Sequence, residues 1–147
     1  MSARAMKDRA VRIVNRLHSN VYRRTDGRIG SHLRKAPVLL LTTAGRKSGK
    51  ARTVPLVYLS DGARIVVVAS YGGDDRSPQW FHNLVADPKV TVEVLGTRRE
   101  MRAEVANADD KARLWPKLVK MYRAYATYQQ RTEREIPVVI LREIDPG

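Results

Sequence analysis

Four basic side chains lie in one short glycine-containing segment, a combination of residue types that suits anion binding. Residues 45–52 read GRKSGKAR and lie between two apolar runs, 38–41 and 54–59. The runs predict strands and the segment a tight turn, in which glycine lets backbone N–H groups approach a ligand closely. Lysine and arginine beside those groups favour phosphate or carboxylate. The segment therefore predicts a site for a small molecule with an anionic tail.

This composition is also typical of turns that are merely solvated, so the segment alone leaves both interpretations open. Its spacing does exclude a P-loop, which has the pattern G-x-x-x-x-G-K-[ST]. Here three residues separate Gly45 from Gly49, and Ala51 follows Lys50.

Three tyrosines recur at three-residue spacing: Tyr122, Tyr125 and Tyr128. On a helix each such step rotates the side chain by roughly 60°, so the three rings would share one side. They would either pack that helix against the sheet or form a lid over a pocket. A lid of this kind would stack on a planar substrate and donate a hydrogen bond to an electron-accepting oxygen.

A short helix is predicted from Pro78 to about Val85, with Ser77 as its N-cap. The free N–H groups of a helix N-terminus favour an anion. Trp80 and Asn83 add side-chain donors. They are either ordinary core and cap residues or part of an anion cradle beside the basic turn.

Residues for protein-based catalysis are scarce. His18, His32 and His82 are scattered without an H-E-x-x-H pair, and neither cysteine nor a G-x-S-x-G segment is present. We therefore predict no metal site and no hydrolase triad. If the protein is an enzyme, a cofactor supplies the difficult chemistry.

The charge of the chain is concentrated near its N-terminus. The length of 147 residues is typical of one domain. The formal net charge of the chain is +13. Residues 1–52 hold 14 lysines and arginines against Asp8 and Asp26, a net charge of +12. Such a segment favours an anionic partner: nucleic acid, anionic lipid or an anionic cofactor. Tyr22 is its one aromatic residue, which serves base stacking poorly.

The first basic element is a predicted helix over residues 3–22. Its apolar residues share one face: Met6, Ala10, Ile13, Leu17 and Val21. The helix is either docked on the domain or lies on an anionic membrane surface. No secretory signal is visible, and the lack of cysteine fits a reducing cytoplasm. We therefore predict a cytoplasmic protein. Peripheral attachment to the inner face of the cell membrane is compatible with that location.

The remaining pattern predicts a mainly β fold of the α+β class. Hairpin signals and alternating apolar residues predict strands at 37–43, 52–60, 63–70, 90–94, 98–106 and 136–141. Asn107 or Asp109 caps a helical region that Pro116 is expected to divide. We predict a six-stranded antiparallel sheet curled into a small barrel with flanking helices. A basic helix and linker, 1–36, would precede a barrel domain, 37–147.

Three separated motifs carry a resemblance to a known family. They are LLLTTAGRKSGKARTVPLVYL, VVASYGG with SPQWFHNLVADPKV, and WPKLVKMYRAYATYQQRTEREIPVVIL. Together they resemble the deazaflavin-dependent nitroreductases, split β-barrel oxidoreductases of actinobacteria that use coenzyme F420. The resemblance covers roughly residues 37–142 and implies an FMN-binding split-barrel-like fold.

The resemblance also implies roles for individual residues. The phosphate and oligoglutamate tail of the cofactor would lie at the first turn, and its ring near the end of the third strand. The cofactor-binding residues implied are Arg46, Lys47, Ser48, Arg52, Thr53, Val54, Pro55, Val68, Ala69, Ser70, Tyr71, Gln79, Trp80, Phe81, His82, Asn83 and Tyr125. Those implied at the acceptor are Tyr122, Tyr125, Tyr128 and Ser70.

The function expected is hydride transfer from reduced F420 to an electron-poor acceptor: a quinone, a nitroaromatic or an activated alkene. One alternative is an FMN-dependent reductase on the same barrel. Another is a basic nucleic-acid-binding module. Residues 3–22 add a possible anionic membrane partner, and the oligomeric state is left open.

Overall fold

The helices and strands follow the hydrophobic pattern of the sequence closely. A computed structural model describes residues 2–33 and 35–144. Its elements in chain order are α1 (Ala3–Arg24), β1 (His32–Leu33), β2 (Ala36–Ala44), β3 (Ala51–Val57), β4 (Leu59–Asp61), β5 (Arg64–Val68), a 3₁₀ turn (Tyr71–Gly73), α2 (Gln79–Ala86), β6 (Lys89–Val94), β7 (Thr97–Val105), α3 (Ala108–Met121), α4 (Ala124–Gln130) and β8 (Val138–Glu143).

The sheet is antiparallel throughout the described residues. Its strand order is β1-β2-β6-β7-β8-β5-β4, and β3 pairs with β2 along most of its length. The six longer strands are those predicted, so the mainly β antiparallel class is confirmed. β1 and β4 are short additions to the predicted count. β4 arises because the strand predicted at 52–60 is interrupted at Tyr58.

Two clusters of buried side chains lie on opposite faces of the sheet. Ile65, Val67 and Ala69 belong to the cluster beneath α2, whereas Val66 and Val68 belong to the cluster beneath α3 and α4. Successive residues of a strand point to opposite faces. The segment 65–69, which comprises most of β5 and Ala69 after it, is apolar at every position and is therefore buried on both sides.

The helix α1 docks on the sheet through a different face from its apolar stripe. Tyr22 is fully buried and packs against Val38, Leu40 and Val57. Its hydroxyl accepts a hydrogen bond from the backbone N–H of Leu95 at 2.8 Å. The stripe identified in the sequence stays exposed, at 57% for Met6, 50% for Ile13, 61% for Leu17 and 42% for Val21.

The predicted division of the third helix is wrong. α3 runs unbroken through Pro116, and the chain leaves helical geometry at Tyr122, where φ is −140° and ψ is 92°. Leu114 and Leu118 are both fully buried on either side of the proline and hold the helix to the sheet. This packing outweighs the local cost of proline.

The three tyrosines are consequently not on one helix, as the sequence had suggested. Tyr122 lies between α3 and α4, whereas Tyr125 and Tyr128 lie in α4. Their rings nevertheless meet, because the bend brings α4 back against the end of α3. The ring centroids are 4.9 Å apart for Tyr122 and Tyr125 and 6.4 Å apart for Tyr125 and Tyr128. The cluster is confirmed, and only its helical explanation fails.

Smaller differences concern caps and turns. Pro78, not Ser77, occupies the N-cap of α2, and no side chain caps that helix. Asp61 pairs with Arg64, so the hairpin turn is one residue later than predicted. Asn107 caps α3 by accepting a hydrogen bond from Asp110 N at 2.8 Å, which decides between the two predicted caps.

None of the helices in the described part of the chain combines the length and apolar character needed to cross a bilayer.

Candidate functional site

A cavity of about 580 Å³ lies between α1, the β2–β3 turn and α2. Six of the residues that line it are cationic, and none is acidic. The cationic residues are Arg12, Arg16, Arg23, Arg46, Lys47 and Arg52. The others are Asn15, Ser19, Asn20, Gly45, Ser48, Ala51, Thr53, Val54, Gln79, Trp80 and Asn83. A wall of one charge sign favours a polyanionic ligand.

The β2–β3 turn is closed by its own backbone. Gly45 N donates to Lys50 O at 2.8 Å, and Gly49 N donates to Gly45 O at 2.7 Å. A Cβ at Gly45 would lie 2.9 Å from Ser48 Oγ and 3.2 Å from Lys50 O, so a larger residue does not fit there. The N–H groups of Lys47 and Ser48 make no hydrogen bond within the described residues and are available to a ligand.

The helix α2 holds the turn through neutral amide groups. Asn83 is 4% exposed, and its Oδ1 accepts hydrogen bonds from Arg46 N at 3.2 Å and Arg46 Nη1 at 2.9 Å. Gln79 Oε1 accepts from Arg46 Nη2 at 2.7 Å, and Asn83 Nδ2 donates to Thr43 Oγ1 at 3.2 Å. Because the partners of Arg46 are uncharged, they fix its guanidinium without cancelling its charge. The structure thus places α2 beside the turn, as the anion-cradle interpretation required.

The loop after β5 is organised by Arg134, a residue that no sequence motif singled out. Arg134 Nη2 donates to the carbonyl oxygens of Ala69, Ser70 and Arg76 at 3.0–3.2 Å. Gly73 has φ +84°, and a Cβ there would lie 2.6 Å from the carbonyl oxygen of Tyr128. The loop is therefore fixed between Arg134 and α4.

The tyrosine cluster is more enclosed than the predicted open lid. Tyr122 is 8% exposed and Tyr125 is 5% exposed. Burial raises the pKa of Tyr125, and the neighbouring Tyr122 and Tyr128 add to the rise. The Tyr125 hydroxyl consequently stays protonated near neutral pH, where it can donate a hydrogen bond but cannot act as a base.

The predicted site residues fall into two groups. Nine of the predicted cofactor-binding residues line the cavity: Arg46, Lys47, Ser48, Arg52, Thr53, Val54, Gln79, Trp80 and Asn83. The remainder do not: Pro55, Val68, Ala69, Ser70, Tyr71, Phe81, His82 and Tyr125. His82 is exposed, whereas Phe81 packs against the cluster beneath α2.

The end of β5 connects the two groups. Ala69 shares a buried cluster with Trp80, which lines the cavity. Val68 shares the other buried cluster with Tyr122 and Tyr125. The end of β5 therefore packs against both the residues that line the cavity and the tyrosine cluster.

Sequence reasoning missed the wall that α1 contributes to the cavity. Arg12, Arg16 and Arg23 are spaced by four and seven residues and therefore share a helix face. That spacing was the available signal, but from the sequence the helix was considered only as docked on the domain or lying on a membrane surface.

The N-terminal half of α1 is fixed by a cluster of ionic contacts, here called the clasp: Lys7, Asp8, Tyr71, Asp74 and Arg76. Lys7 Nζ donates to Asp74 Oδ2 at 3.1 Å and to the carbonyl oxygen of Tyr71 at 3.0 Å. Asp8 accepts hydrogen bonds from Arg76 at 2.9 Å and from the Tyr71 hydroxyl. The clasp therefore joins α1 to the loop after β5.

The comparisons with known proteins agree with this geometry. The family model described as F420H(2)-dependent quinone reductase matches residues 14–143. This chain belongs to that family.

Individual members of the family are similar over most of their length. A quinone reductase of Mycobacterium tuberculosis is 47% identical over 131 residues, covering 86% of this chain and 87% of that protein. A putative one from the same organism is 45% identical over 116 residues, covering 78% and 98%. The solved structure of an F420-H2 dependent reductase, FDR-A, has a TM-score of 0.67 and 37% identity, covering 72% and 94%. The predicted resemblance, the split-barrel fold, the oxidoreductase class and the F420 cofactor are thereby confirmed.

The clasp should weaken in acid. Hydrogen bonds from Arg76 lower the pKa of both Asp8 and Asp74 below the usual range. A carboxyl whose pKa is lower in the folded state stabilises that state above its unfolded pKa, about 3.9, and loses this effect as pH falls. We expect Asp74→Asn to lower the thermal midpoint at neutral pH, and the difference from the wild type to shrink toward about pH 3.

The matched control is Asp87→Asn, an exposed aspartate with no ion pair in the described part of the chain. Its difference from the wild type should be small at every pH. A deficit of Asp74→Asn that stays constant from neutral pH to acid would contradict the ionic role of the clasp.

Proposed function

We propose that this chain transfers a hydride from reduced coenzyme F420 to an electron-poor acceptor, with quinones as the main acceptor class. The observation that carries the proposal is the cavity with six cationic and no acidic lining residues. A small-molecule cofactor with a tail of phosphate and several carboxylates matches such a wall. The relatives named as F420H(2)-dependent quinone reductases support the same acceptor class.

The extent of the basic wall favours F420 over FMN. The turn alone could bind the single phosphomonoester of FMN, because Arg46, Lys47 and Arg52 lie beside N–H groups that are unpaired in the described residues. Arg12 and Arg16 of α1 would then have no anionic partner within the described residues, whereas Arg23 already lies 3.6 Å from Glu93. An oligoanionic tail accounts for both walls of the cavity.

When bound, the reduced deazaflavin ring supplies the hydride. The chain supplies binding, orientation and hydrogen-bond donors around the acceptor. Residues of the turn and of α2 would hold the tail, and the end of β5 with Pro55 would position the ring. Ser70 with Tyr122, Tyr125 and Tyr128 would orient the acceptor and stabilise the negative charge that develops on its oxygen.

The raised pKa values fit donor roles. Burial raises the pKa of Tyr71 to about 12, with a further contribution from the hydrogen bond to Asp8. Burial raises that of Tyr125 as well. Both hydroxyls therefore stay protonated over the range in which an enzyme of this class would work. The Tyr71 hydroxyl donates to Asp8, whereas the Tyr125 hydroxyl would be a donor already in place, which needs no reorganisation as charge develops on the acceptor.

The turn is tested by Lys47→Ala. Lys47 is exposed and lines the cavity, so its loss should weaken F420 binding about fivefold while leaving the hydride step of the saturated enzyme unchanged. The dissociation constant comes from calorimetry, and the hydride step from single-turnover absorbance. Lys117→Ala, an exposed lysine on α3, is the control. Unchanged F420 affinity in Lys47→Ala would refute the role of the turn.

The tyrosine cluster is tested by Tyr125→Phe. This substitution keeps the ring that packs in the core and removes only the hydroxyl. We expect the single-turnover rate with a quinone to fall about 100-fold, at unchanged F420 affinity. Tyr58→Phe, a partly buried tyrosine outside the cluster, should change neither quantity. A rate within about twofold of the wild type would remove Tyr125 from the proposed acceptor site.

We further propose that α1 places the enzyme on anionic membranes. Its apolar stripe is exposed, although α1 is otherwise docked on the sheet. Arg9 and Arg24 lie on or beside the stripe and would meet anionic headgroups. Attachment of this kind would bring the acceptor site to lipid-soluble quinones.

Vesicle flotation tests this attachment in the full chain. Ile13→Glu/Leu17→Glu places two carboxylates in the stripe, whereas Val85→Glu/Val105→Glu makes the same charge change at exposed valines elsewhere. The wild type and the control should float with phosphatidylglycerol vesicles and not with phosphatidylcholine vesicles. The stripe variant should remain at the bottom of the gradient. Equal flotation of the two variants would exclude the stripe as the membrane-binding surface.

A further inference from the structure

The cavity has a second basic wall that nothing in the predicted turn motif provides. Arg12, Asn15, Arg16, Ser19, Asn20 and Arg23 of α1 face the β2–β3 turn across the cavity. The family match begins at residue 14, so Arg12 precedes it. We propose that Arg12 and Arg16, with Ser19, bind the distal carboxylates of the cofactor tail and make the affinity depend on tail length. This inference rests on the proposed function.

The guanidinium groups of Arg12 and Arg16 make neither an ion pair nor a hydrogen bond within the described residues. Arg23 differs from them, because its Nε lies 3.6 Å from Glu93 Oε2 and forms an ion pair with it. Two unpaired guanidinium groups on the wall of a cavity that has no carboxylate favour an anion from outside the chain.

The cavity wall also contains a buried hydroxyl, that of Ser19, with no partner within the described residues. Ser19 is 7% exposed and lines the cavity, and its Oγ has no hydrogen-bond partner in the described structure. A buried polar atom is normally paired, and leaving it unpaired is unfavourable. A carboxylate or phosphate oxygen in the cavity would supply the missing partner.

The helix α1 is held in place at both ends by contacts that do not block the cavity. The clasp fixes its N-terminal half, and Tyr22 with the Leu95 N–H fixes its C-terminal end. The arginines lie between these two anchors. Their positions relative to the turn are therefore set before the ligand arrives, which reduces the ordering cost of binding.

The two walls would bind different parts of the cofactor tail. The turn, with its free N–H groups and α2, suits a compact anion such as the phosphate. The α1 wall carries long side chains, which suit carboxylates on a flexible chain. A tail with a single glutamate would be satisfied mostly at the turn, and only a longer tail would use both walls.

Calorimetric titration of the full chain with two forms of F420 tests this inference, one with a single glutamate and one with several. The wild type should bind the longer form more tightly. In Arg12→Ala/Arg16→Ala the affinity for the longer form should fall about tenfold and that for the shorter form by less than about twofold. The preference for the longer tail is thus largely lost.

The matched control is Arg4→Ala/Arg24→Ala. It removes the same charge from the same helix at positions that do not line the cavity, and its two affinities should equal those of the wild type. If Arg12→Ala/Arg16→Ala lowers both affinities equally or leaves both unchanged, the inference is overturned while the proposed function stands. If the wild type binds neither form, both are overturned.

The substitution Ser19→Ala tests the proposed α1 wall independently of the arginines. Removing an unpaired buried hydroxyl should not lower the thermal midpoint of the ligand-free protein, but it should weaken binding of the longer form about threefold. A lowered midpoint with unchanged affinity would assign the hydroxyl to the fold and remove Ser19 from the site.

Discussion

The exclusion of carboxylates from the cavity wall is the constraint on which the rest of the structure depends. Six cationic side chains surround one space whose wall contains no acidic residue, and within the described residues Arg23 alone among the six has a carboxylate partner, Glu93. Like charges held together repel, so the elements that carry them need anchors elsewhere. Asn83 and Gln79 anchor the turn with neutral groups, and Tyr22 anchors α1 through packing. The anchors keep the charge density of the cavity intact for a ligand.

The helix α1 meets this constraint by dividing its surface into three faces. One face docks on the sheet through Tyr22 and the clasp. A second presents Arg12 and Arg16 to the cavity. The third carries the exposed apolar stripe. A helix with a single apolar face would normally bury it. Here burial of the stripe would turn the arginines away from the turn, so one tyrosine and a few ion pairs do the docking instead.

The sequence predicted those parts of the molecule that local pattern determines. Alternation and apolar runs located every long strand within three residues, the turn was recognised from its glycine and cation composition, and α2 from the Ser-Pro pair at its start. The failures have tertiary causes. Pro116 stays helical because Leu114 and Leu118 pack on either side of it. The docking face of α1 depends on contacts with Tyr71, Asp74 and Arg76, more than sixty residues away along the chain, which no local pattern encodes.

The protonation states around the site fit a chain that leaves the reaction to its cofactor. Hydrogen bonds from Arg76 hold the pKa of Asp8 and Asp74 below the ordinary range, and burial raises that of Tyr71 and Tyr125. Each shift moves the pKa of the group further from neutral pH. A general acid or base works best with a pKa near the working pH, so these side chains are poorly placed to shuttle protons. They are well placed to keep fixed charges and fixed donors, because their charge does not change over the pH range in which the cofactor reacts. Electrostatic positioning, rather than acid–base catalysis by the chain, is therefore the contribution that this arrangement of residues can make.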